Sequence, residues 1–409
     1  MGAGHAATAA QPPAAPAPSG FLAHMAIGAS LTPATYICVA LITAAAALLA
    51  HPPSANRLRS WLAARVRWDS VERVQQVLRC KAADIWFSAF PFLGNEIQYV
   101  LLLPATAWFL DDAGATARHL SLGAFIGCYL SNAAKTQMRL PRPPLKLHVG
   151  KGSTVSEKAR QEHERIAEQY GFPSTHSAHA LLLGTIFGRA LLSPGLGRQA
   201  FVLVHTAHVG LSRLYMGVHS LADVLGGLLV GALLAFGAFE PLGLLSDAAV
   251  SLASTGGTGG GAGVGPLALY ASALLALLAV FPDKRGSTFE ETVSFAGVHL
   301  GLVFACALAR DDAPRAAFVA SLRAPGGSIP AVLAATVMTQ LVTGLLVLGM
   351  LRTGLSAAAK KAVARLVPAG RLNSLAGMVR VLLVNLSASA WVMGMHPARL
   401  LEAAASLKR

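Results

Sequence analysis

The sequence predicts an all-α protein that crosses a membrane several times. Of its 409 residues, 54% are hydrophobic and only 13% are charged, and the mean hydropathy is +0.55. Soluble globular proteins carry about 25% charged residues, so this balance argues against a soluble chain. Apolar runs also recur along the sequence at lengths near the roughly 20 residues that a membrane-spanning helix needs, and we expect about eight to ten spans.

The net charge of +14 and the pI of 10.2 are explained by the basic loops of a membrane protein. The basic residues sit in short loops between apolar runs and form no patch with interleaved aromatic residues, so we expect no nucleic-acid partner. Four cysteines are scattered without metal-ligand spacing, which predicts neither a disulfide framework nor a bound metal or other cofactor. They are Cys38, Cys80, Cys128 and Cys306.

The N-terminal region divides into a tail, a first span and a basic segment. Residues 1–32 are rich in alanine and proline and lack the basic start of a signal peptide, which predicts a disordered tail. The region 33–82 begins with an apolar run over about residues 33–50. The basic segment 57–81 fits either an amphipathic helix at the membrane interface or an ordinary solvated loop helix.

The central region, residues 83–240, holds the next apolar runs. They cover about residues 85–110, 119–134, 178–192, 200–215 and 221–239. Pro91 and Gly94 can split the first of these into a short re-entrant piece and a full helix. Between the second and third runs the chain is polar, and Thr154 with Glu157 predicts a capped surface helix.

The C-terminal region follows a predicted glycine-rich linker over residues 241–265. Residues 266–409 contain four further apolar runs and no reactive set of residues. The runs cover about residues 266–281, 293–309, 329–351 and 376–395. We interpret this region as an accessory transmembrane bundle that packs on the central region or shapes the entry of a lipid.

The first candidate catalytic residues of the central region are His219 and Asp223, which are four positions apart. On a helix they would share a face, and the carboxylate would accept a hydrogen bond from one imidazole nitrogen. The other nitrogen would then be free to attack. Arg213 is suited to hold an anion against the histidine. A histidine paired at a helix end for structural reasons is the alternative.

A second stretch contains Lys135 and Arg142, the latter between two prolines. Two cations at a membrane surface can neutralise the oxygens of a phosphoryl group during transfer. A positively charged flank that binds lipid head groups is the alternative.

A third stretch, Ser174-Thr175-His176, leads directly into an apolar run. Free amides at a helix start make an anion site, and His176 could protonate a leaving oxygen. Simple capping of the helix is the alternative, and both can hold together. We interpret His179 as a buried residue on the helix face.

Together the three stretches resemble the signature of the type 2 phosphatidic acid phosphatase family, and the resemblance covers about residues 85–239. It implies a six-helix core that removes phosphate from lipids without a metal. His219 would be the nucleophile that forms a phosphohistidine, Asp223 would orient it, and His176 would be the general acid. The implied phosphate-site residues are Lys135, Arg142, Ser174, Thr175, Ser212 and Arg213.

One departure indicates a branch of that family. The position after Ser174 is usually glycine, whereas this chain has Thr175. The strings around the three stretches look like those of the phosphatases of sphingosine 1-phosphate and other long-chain-base phosphates. Phosphatidate, polyprenyl diphosphate and a phosphotransfer reaction stay open as alternatives. A vanadate-dependent haloperoxidase shares the anion-site logic, and a lipid transporter or scaffold without activity is the alternative from another class.

The charge of the loops and the family resemblance predict opposite sides of the membrane for the site. If every run crosses the membrane, the basic loops 57–81, 135–170 and 352–371 share one side, which puts the site in the cytosol. The resemblance implies a lumenal site in the endoplasmic reticulum membrane, and that is our expectation. The expected partners are a lipid phosphate and the membrane, and the sequence does not indicate an oligomeric state.

Overall fold

The computed structural model describes residues 52–89, 114–144, 169–255, 264–284 and 287–308, together with residues 37, 40, 41, 44, 103, 106, 107 and 147. Within these residues the chain is helical and contains no strand, as predicted. Most of the run predicted before residue 52, most of the run 85–110, the capped helix at Thr154 and the runs after residue 309 lie outside the described residues. The six-helix core and the number of spans therefore stay predictions.

The helices are numbered in chain order. They are α1 (Pro52–Ala63), α2 (Asp69–Leu78), α3 (Lys81–Ala89), α4 (Ala115–Met138), α5 (Thr175–Leu191), α6 (Leu196–Tyr215), α7 (Leu221–Leu233), a π-helical turn (Leu234–Ala238), α8 (Phe239–Thr255), α9 (Val264–Ala279) and α10 (Ser287–Leu308). The runs predicted at 119–134, 178–192 and 200–215 fall in α4, α5 and α6.

Helix α5 is central to the bundle and packs against α4, α6 and α7. On its other side α4 packs against α10, so the core contains residues from both sides of the predicted linker. Phe125, Leu182 and Leu300 are fully buried in this core. The predicted accessory region thus packs on the central region through α10.

The predicted linker over residues 241–265 is wrong for its first part, which lies in helix α8. Residues 241–255 belong to a helix that runs through the π-helical turn from α7, and α8 packs against α9, α10 and α4. This segment is apolar and buries Ser246 and Ala249, so its side chains gain more from packing than a linker would. The glycine-rich part, residues 256–263, lies outside the described residues.

Two glycines bring α7 against the backbone of α5. A Cβ atom at Gly227 would lie 2.2 Å from the carbonyl oxygen of Ser174, and one at Gly231 would lie 2.5 Å from that of Ala178. Small residues four apart are a common device for close helix contact in membranes. This contact fixes α7 relative to the start of α5, where two of the predicted motifs meet.

Helix α2, within the basic segment 57–81, docks on α6. Val71 and Gln75 are buried, and Gln75 Nε2 donates to the carbonyl oxygens of Tyr215 at 2.8 Å and Leu147 at 2.7 Å. Neither the interfacial nor the solvated interpretation of this segment included such docking. The reason is that its apolar face meets protein, which local periodicity cannot distinguish from lipid.

Among the described residues, two helical stretches are long and apolar enough to cross a membrane, Leu221–Ala253 with 33 residues and Ser287–Ala307 with 21 residues. The first includes α7, whose outward face carries large apolar side chains. Leu225 is 55% exposed and Leu229 is 62% exposed. Such a face suits contact with lipid tails.

Candidate active site

Lys135 lies near the C-terminal end of α4 and is buried. Its Nζ donates to Thr175 Oγ1 at 2.6 Å and to Asn132 Oδ1 at 3.1 Å. Thr175, the first residue of α5, therefore contacts the lysine of a motif that is 40 positions earlier in the chain. The residue that departs from the usual glycine thus has a defined contact within the candidate site.

Arg142 lies in the segment after α4 and reaches the turn that joins α6 to α7. Its Nη1 donates to His219 Nε2 at 2.9 Å and to the carbonyl oxygen of Val218 at 2.9 Å. A guanidinium only donates, so His219 Nε2 accepts and the proton of a neutral imidazole is on Nδ1. This contact brings the second and the first predicted motifs together.

His219 and Asp223 meet, although not on one helix face as predicted. His219 precedes α7, and Ser220 and Asp223 form its capping box: Ser220 N donates to Asp223 Oδ2 at 2.8 Å and Asp223 N donates to Ser220 Oγ at 3.1 Å. The helix begins at Leu221 because this box satisfies its first amides. His219 Nδ1 still faces Asp223 Oδ2 at 3.4 Å.

Two contacts hold the third motif and the glycine before it against Asp223. Ser174 N donates to the carbonyl oxygen of Asp223 at 2.8 Å. A Cβ atom at Gly171 would lie 2.8 Å from Asp223 Oδ2, so the carboxylate occupies space that only glycine leaves open. Sequence analysis missed Gly171, although its place just before the third motif is a usable signal.

His176 lies in the first turn of α5 and is partly exposed. Its ring centroid is 6.5 Å from that of His219, with the two planes at 57°. This separation leaves room for a phosphoryl group between the rings. One imidazole can then attack phosphorus while the other faces the leaving oxygen.

Two predicted phosphate ligands have their hydroxyls engaged within their own helices. Ser174 Oγ caps α5, accepting from Ser177 N at 3.4 Å and from Ser177 Oγ at 3.1 Å. Ser212 Oγ donates to the carbonyl oxygen of Val209 at 2.7 Å and accepts from Arg213 Nε at 3.1 Å. Ser212 thus orients the buried Arg213, and Ser174 caps its helix, as the alternative interpretation proposed.

The charges of the site favour an anion. The charges of Lys135, Arg142 and Arg213 all act on His219. Burial lowers the pKa of Arg142 to about 10, so this side chain keeps its charge at neutral pH. Burial, followed by the charge of Arg142, lowers the pKa of His219 well below its usual 6.5. The imidazole is therefore neutral, as a nucleophile must be.

The remaining histidines of α5 and α6 have packing roles. His179 is buried, as predicted, and its Nε2 donates to the carbonyl oxygen of Ala124 at 3.0 Å. His205 stacks on the Phe201 ring with centroids 6.0 Å apart, and His208 packs 5.7 Å from the Phe87 ring. These contacts account for the polar rings within apolar helices.

Metal ligands do not cluster in the part of the chain that the structure describes. No three or more His, Cys, Asp or Glu side chains come together there in a way that could hold an ion. Metal-independent chemistry stays a prediction for the activity assay below.

The helices that build this site match a known family. The PAP2 superfamily model matches residues 116–241, from the first turn of α4 into α8. This part of the chain is therefore similar to the PAP2 superfamily. The assignment confirms the resemblance found in the three motifs, and α10 lies beyond the residues that the PAP2 model matches.

Relatives of this PAP2 domain point to one branch. Sphingosine-1-phosphate phosphatase 2 of Homo sapiens is 32% identical over 150 residues, covering 35% of this chain and 33% of the human protein. A dihydrosphingosine 1-phosphate phosphatase of Schizosaccharomyces pombe is 29% identical over 175 residues, covering 40% of this chain and 39% of the yeast protein. The chain thus spans less than half the length of these relatives. No solved structure matches the chain.

Proposed function

We propose that the PAP2 domain hydrolyses a sphingoid-base 1-phosphate in the membrane through a phosphohistidine intermediate, without a metal. The observation that carries this proposal is the 2.9 Å contact between Arg142 Nη1 and His219 Nε2, within a site where three cations converge. It puts an anion-binding group against the nitrogen that would attack. The names of the relatives support the choice of a sphingoid substrate.

The first step forms the phosphohistidine. The phosphate oxygens take over the hydrogen bonds of Arg142, with Lys135 and Arg213 sharing the charge. The lone pair on His219 Nε2 then attacks phosphorus, and the bond from phosphorus to the lipid oxygen breaks. His176, which the charge of the bound phosphate keeps protonated, gives its proton to that oxygen, and the sphingoid base leaves as an alcohol. Asp223 stabilises the positive charge that develops on the ring of His219.

The second step returns the site to its starting form. His176 takes a proton from a water molecule, whose oxygen attacks phosphorus as the bond to Nε2 breaks. Inorganic phosphate leaves and the imidazole of His219 is neutral again. Its lowered pKa favours this return, since burial beside three cations disfavours an imidazolium.

Phosphate release by the detergent-purified full chain in EDTA tests the proposal. Sphingosine 1-phosphate, phosphatidate and a polyprenyl diphosphate are compared side by side, each with and without vanadate. Fast, vanadate-sensitive release from the sphingoid substrate alone is the expected result. Equal rates on all three would indicate a broad lipid phosphatase, and release that requires added magnesium would contradict the metal-free mechanism. Absence of release from every lipid would contradict hydrolysis and favour a transferase or a transporter.

We also propose that the site faces the lumen of the endoplasmic reticulum. A glycosylation acceptor inserted between Lys151 and Glu157 lies in the polar stretch that joins two motifs of the site. Glycosylation of this acceptor in cells is the expected result. An unmodified acceptor, beside a positive control in a known lumenal protein, would put the site in the cytosol.

A further inference from the structure

Helix α10 lies outside the residues that the PAP2 model matches, yet it reaches the candidate phosphate site. Its carboxylate Glu291 Oε2 accepts from Asn132 Nδ2 at 3.0 Å. The same Asn132 nitrogen donates to the carbonyl oxygen of Thr288 at 3.1 Å and lies 3.3 Å from Thr292 Oγ1. One turn of α10 therefore surrounds the amide nitrogen of Asn132.

The opposite atom of this amide faces the phosphate site. Asn132 Oδ1 accepts from Lys135 Nζ at 3.1 Å and from Thr175 Oγ1 at 3.3 Å. Asn132 is fully buried, so each of its polar atoms depends on these partners.

The chemistry of the partners permits only one orientation of the amide. The Glu291 carboxylate and the Thr288 carbonyl can only accept, so they require the amide nitrogen on their side. The ammonium of Lys135 can only donate, so it requires the amide oxygen on its side. A flipped Asn132 would oppose two acceptors to its oxygen and a cation to its nitrogen. Helix α10 thus selects the orientation that the lysine uses.

We infer that Glu291 is a positioning residue that acts through Asn132 to fix Lys135 for phosphate binding. This inference rests on the function proposed above. A lysine ammonium ends a flexible four-carbon stem, and holding it in one place costs side-chain entropy unless fixed acceptors receive its protons. Asn132 and Thr175 supply those acceptors, and Glu291 holds Asn132.

Helix α10 is therefore part of the phosphate site. The PAP2 domain alone would contain Lys135, Asn132 and Thr175, but on the nitrogen side of the amide it would keep only a weak sulfur acceptor, Cys128 Sγ at 3.1 Å. A chain that ends before α10 is expected to bind phosphate less tightly even where α4 and α5 fold.

The test compares three substitutions in the full chain. Glu291→Ala removes the acceptor, Glu291→Gln keeps an acceptor oxygen but removes the charge, and Glu290→Gln is the matched control. Glu290 is the preceding residue of α10 and its side chain is exposed. Phosphate release gives kcat and KM for sphingosine 1-phosphate, and thermal shift with vanadate gives anion binding without turnover.

We expect Glu291→Ala to raise KM and weaken vanadate binding about tenfold, as the loss of one charge-assisted contact would. Glu291→Gln should recover about half of that loss on a logarithmic scale, and Glu290→Gln should match the wild type. The double variant Asn132→Ala with Glu291→Ala should be no worse than Asn132→Ala alone, because Glu291 acts through Asn132.

The inference is wrong if Glu291→Ala, eluting and melting like the wild type, keeps wild-type KM and vanadate binding. Additive losses in the double variant would also overturn it. If Glu291→Ala does not fold, Glu291→Gln and the Asn132 variants still decide through vanadate binding. A wild type that releases no phosphate contradicts the proposed function instead, and the dependence of vanadate binding on Glu291 then tests the inference by itself.

Discussion

Both ends of α4 carry buried cations, and the two clusters differ in what receives their protons. Near the N-terminal end, Arg118 Nη2 donates to Asp247 Oδ1 at 2.7 Å and His119 Nε2 donates to Asp247 Oδ2 at 3.0 Å. Near the other end, about 25 Å away along the helix axis, Lys135 Nζ donates to the neutral oxygens of Asn132 and Thr175.

The N-terminal cluster also contains a chain of neutral hydrogen bonds. Ser121 Oγ donates to the carbonyl oxygen of Arg118 at 2.8 Å and so accepts from His299 Nδ1 at 2.9 Å. His299 Nε2 then accepts from Tyr270 OH at 2.7 Å. The charged pair and the neutral chain join α4 to α8, α9 and α10, which is a structural task.

The difference explains why burial of a cation alone does not identify a site. A cation that faces a carboxylate is already neutralised, whereas one that faces neutral oxygens retains a field that an anion can satisfy. The phosphate site combines three such cations with the neutral nucleophile His219. The partner of a buried charge therefore predicts the role of that charge better than its depth does.

The largest expected effect removes the nucleophile. His219→Ala should lower phosphate release at least about a thousandfold, because no other group can form the covalent intermediate. Release from sphingosine 1-phosphate measures it, with size-exclusion elution as the folding check. The control His205→Ala changes a histidine that packs on Phe201 and should remain active. Wild-type activity in a folded His219→Ala protein would contradict the assignment of His219 as the nucleophile.

A smaller loss is expected when the carboxylate behind the nucleophile is displaced. Gly171→Ala puts a Cβ atom 2.8 Å from Asp223 Oδ2, so the carboxylate must move and His219 loses its orientation. We expect kcat to fall about a hundredfold. Gly197→Ala is the matched control, because a Cβ atom there meets nothing within 4 Å. Equal kcat values for the two variants would show that Asp223 need not be fixed.

The pH dependence of activity should report the charge around His219. His219 lies in the turn between α6 and α7, and its pKa is lowered well below 6.5 by burial and then by Arg142. The neutral form attacks, so activity is retained as pH falls through 6.5 and is lost only near the lowered pKa. We expect the acid limb of kcat/KM well below pH 6.5 in the wild type.

Removing the nearby charge should move that limb. Arg142→Gln takes away a cation that disfavours the imidazolium, so the acid limb should shift to higher pH while the rate drops. The exposed Arg139, changed to glutamine, serves as the control and should leave the limb in place. A limb that stays fixed in Arg142→Gln would mean that another group sets it.

The smallest effect on catalysis is expected at the other end of α4. Asp247→Asn weakens the contacts of Arg118 and His119, and we expect about 1–2 kcal/mol less stability and a melting temperature lower by a few degrees. KM for sphingosine 1-phosphate should stay within about twofold of the wild-type value. Such a change corresponds to the small free-energy effects of substitutions away from a functional site. Thermal unfolding and initial rates measure the two quantities. A large rise in KM would mean that the two ends are energetically coupled.

Local patterns in the sequence predicted much of the fold and of the site. Apolar runs located α4, α5 and α6, because burial in lipid or protein needs continuous apolar helices. The motif residues were found because each motif is compact along the chain. The capping pattern of Ser220 and Asp223 was also readable, and it would have put His219 before the helix rather than on its face.

The rest depends on contacts between distant segments. Asn132 and Glu291 are 159 positions apart, and nothing in the sequence around either one indicates their contact. The segment 241–255 was interpreted as a linker because glycines follow it, whereas its own side chains favour the helix α8. Tertiary packing decided both cases, and a single sequence does not encode packing in any local pattern.

The hydrogen bond between Arg142 and His219 has a consequence for chemical selectivity. A bilayer is full of ester carbonyls, and a free imidazole held among them would be a hazard to the lipids around it. Here the lone pair of His219 Nε2 accepts a hydrogen bond from the Arg142 guanidinium. A neutral ester cannot displace the imidazole from that guanidinium. A phosphate can, because it binds the guanidinium more strongly than the imidazole does. The charged head group of the substrate would then release the lone pair of His219, and the surrounding uncharged lipids would not be attacked.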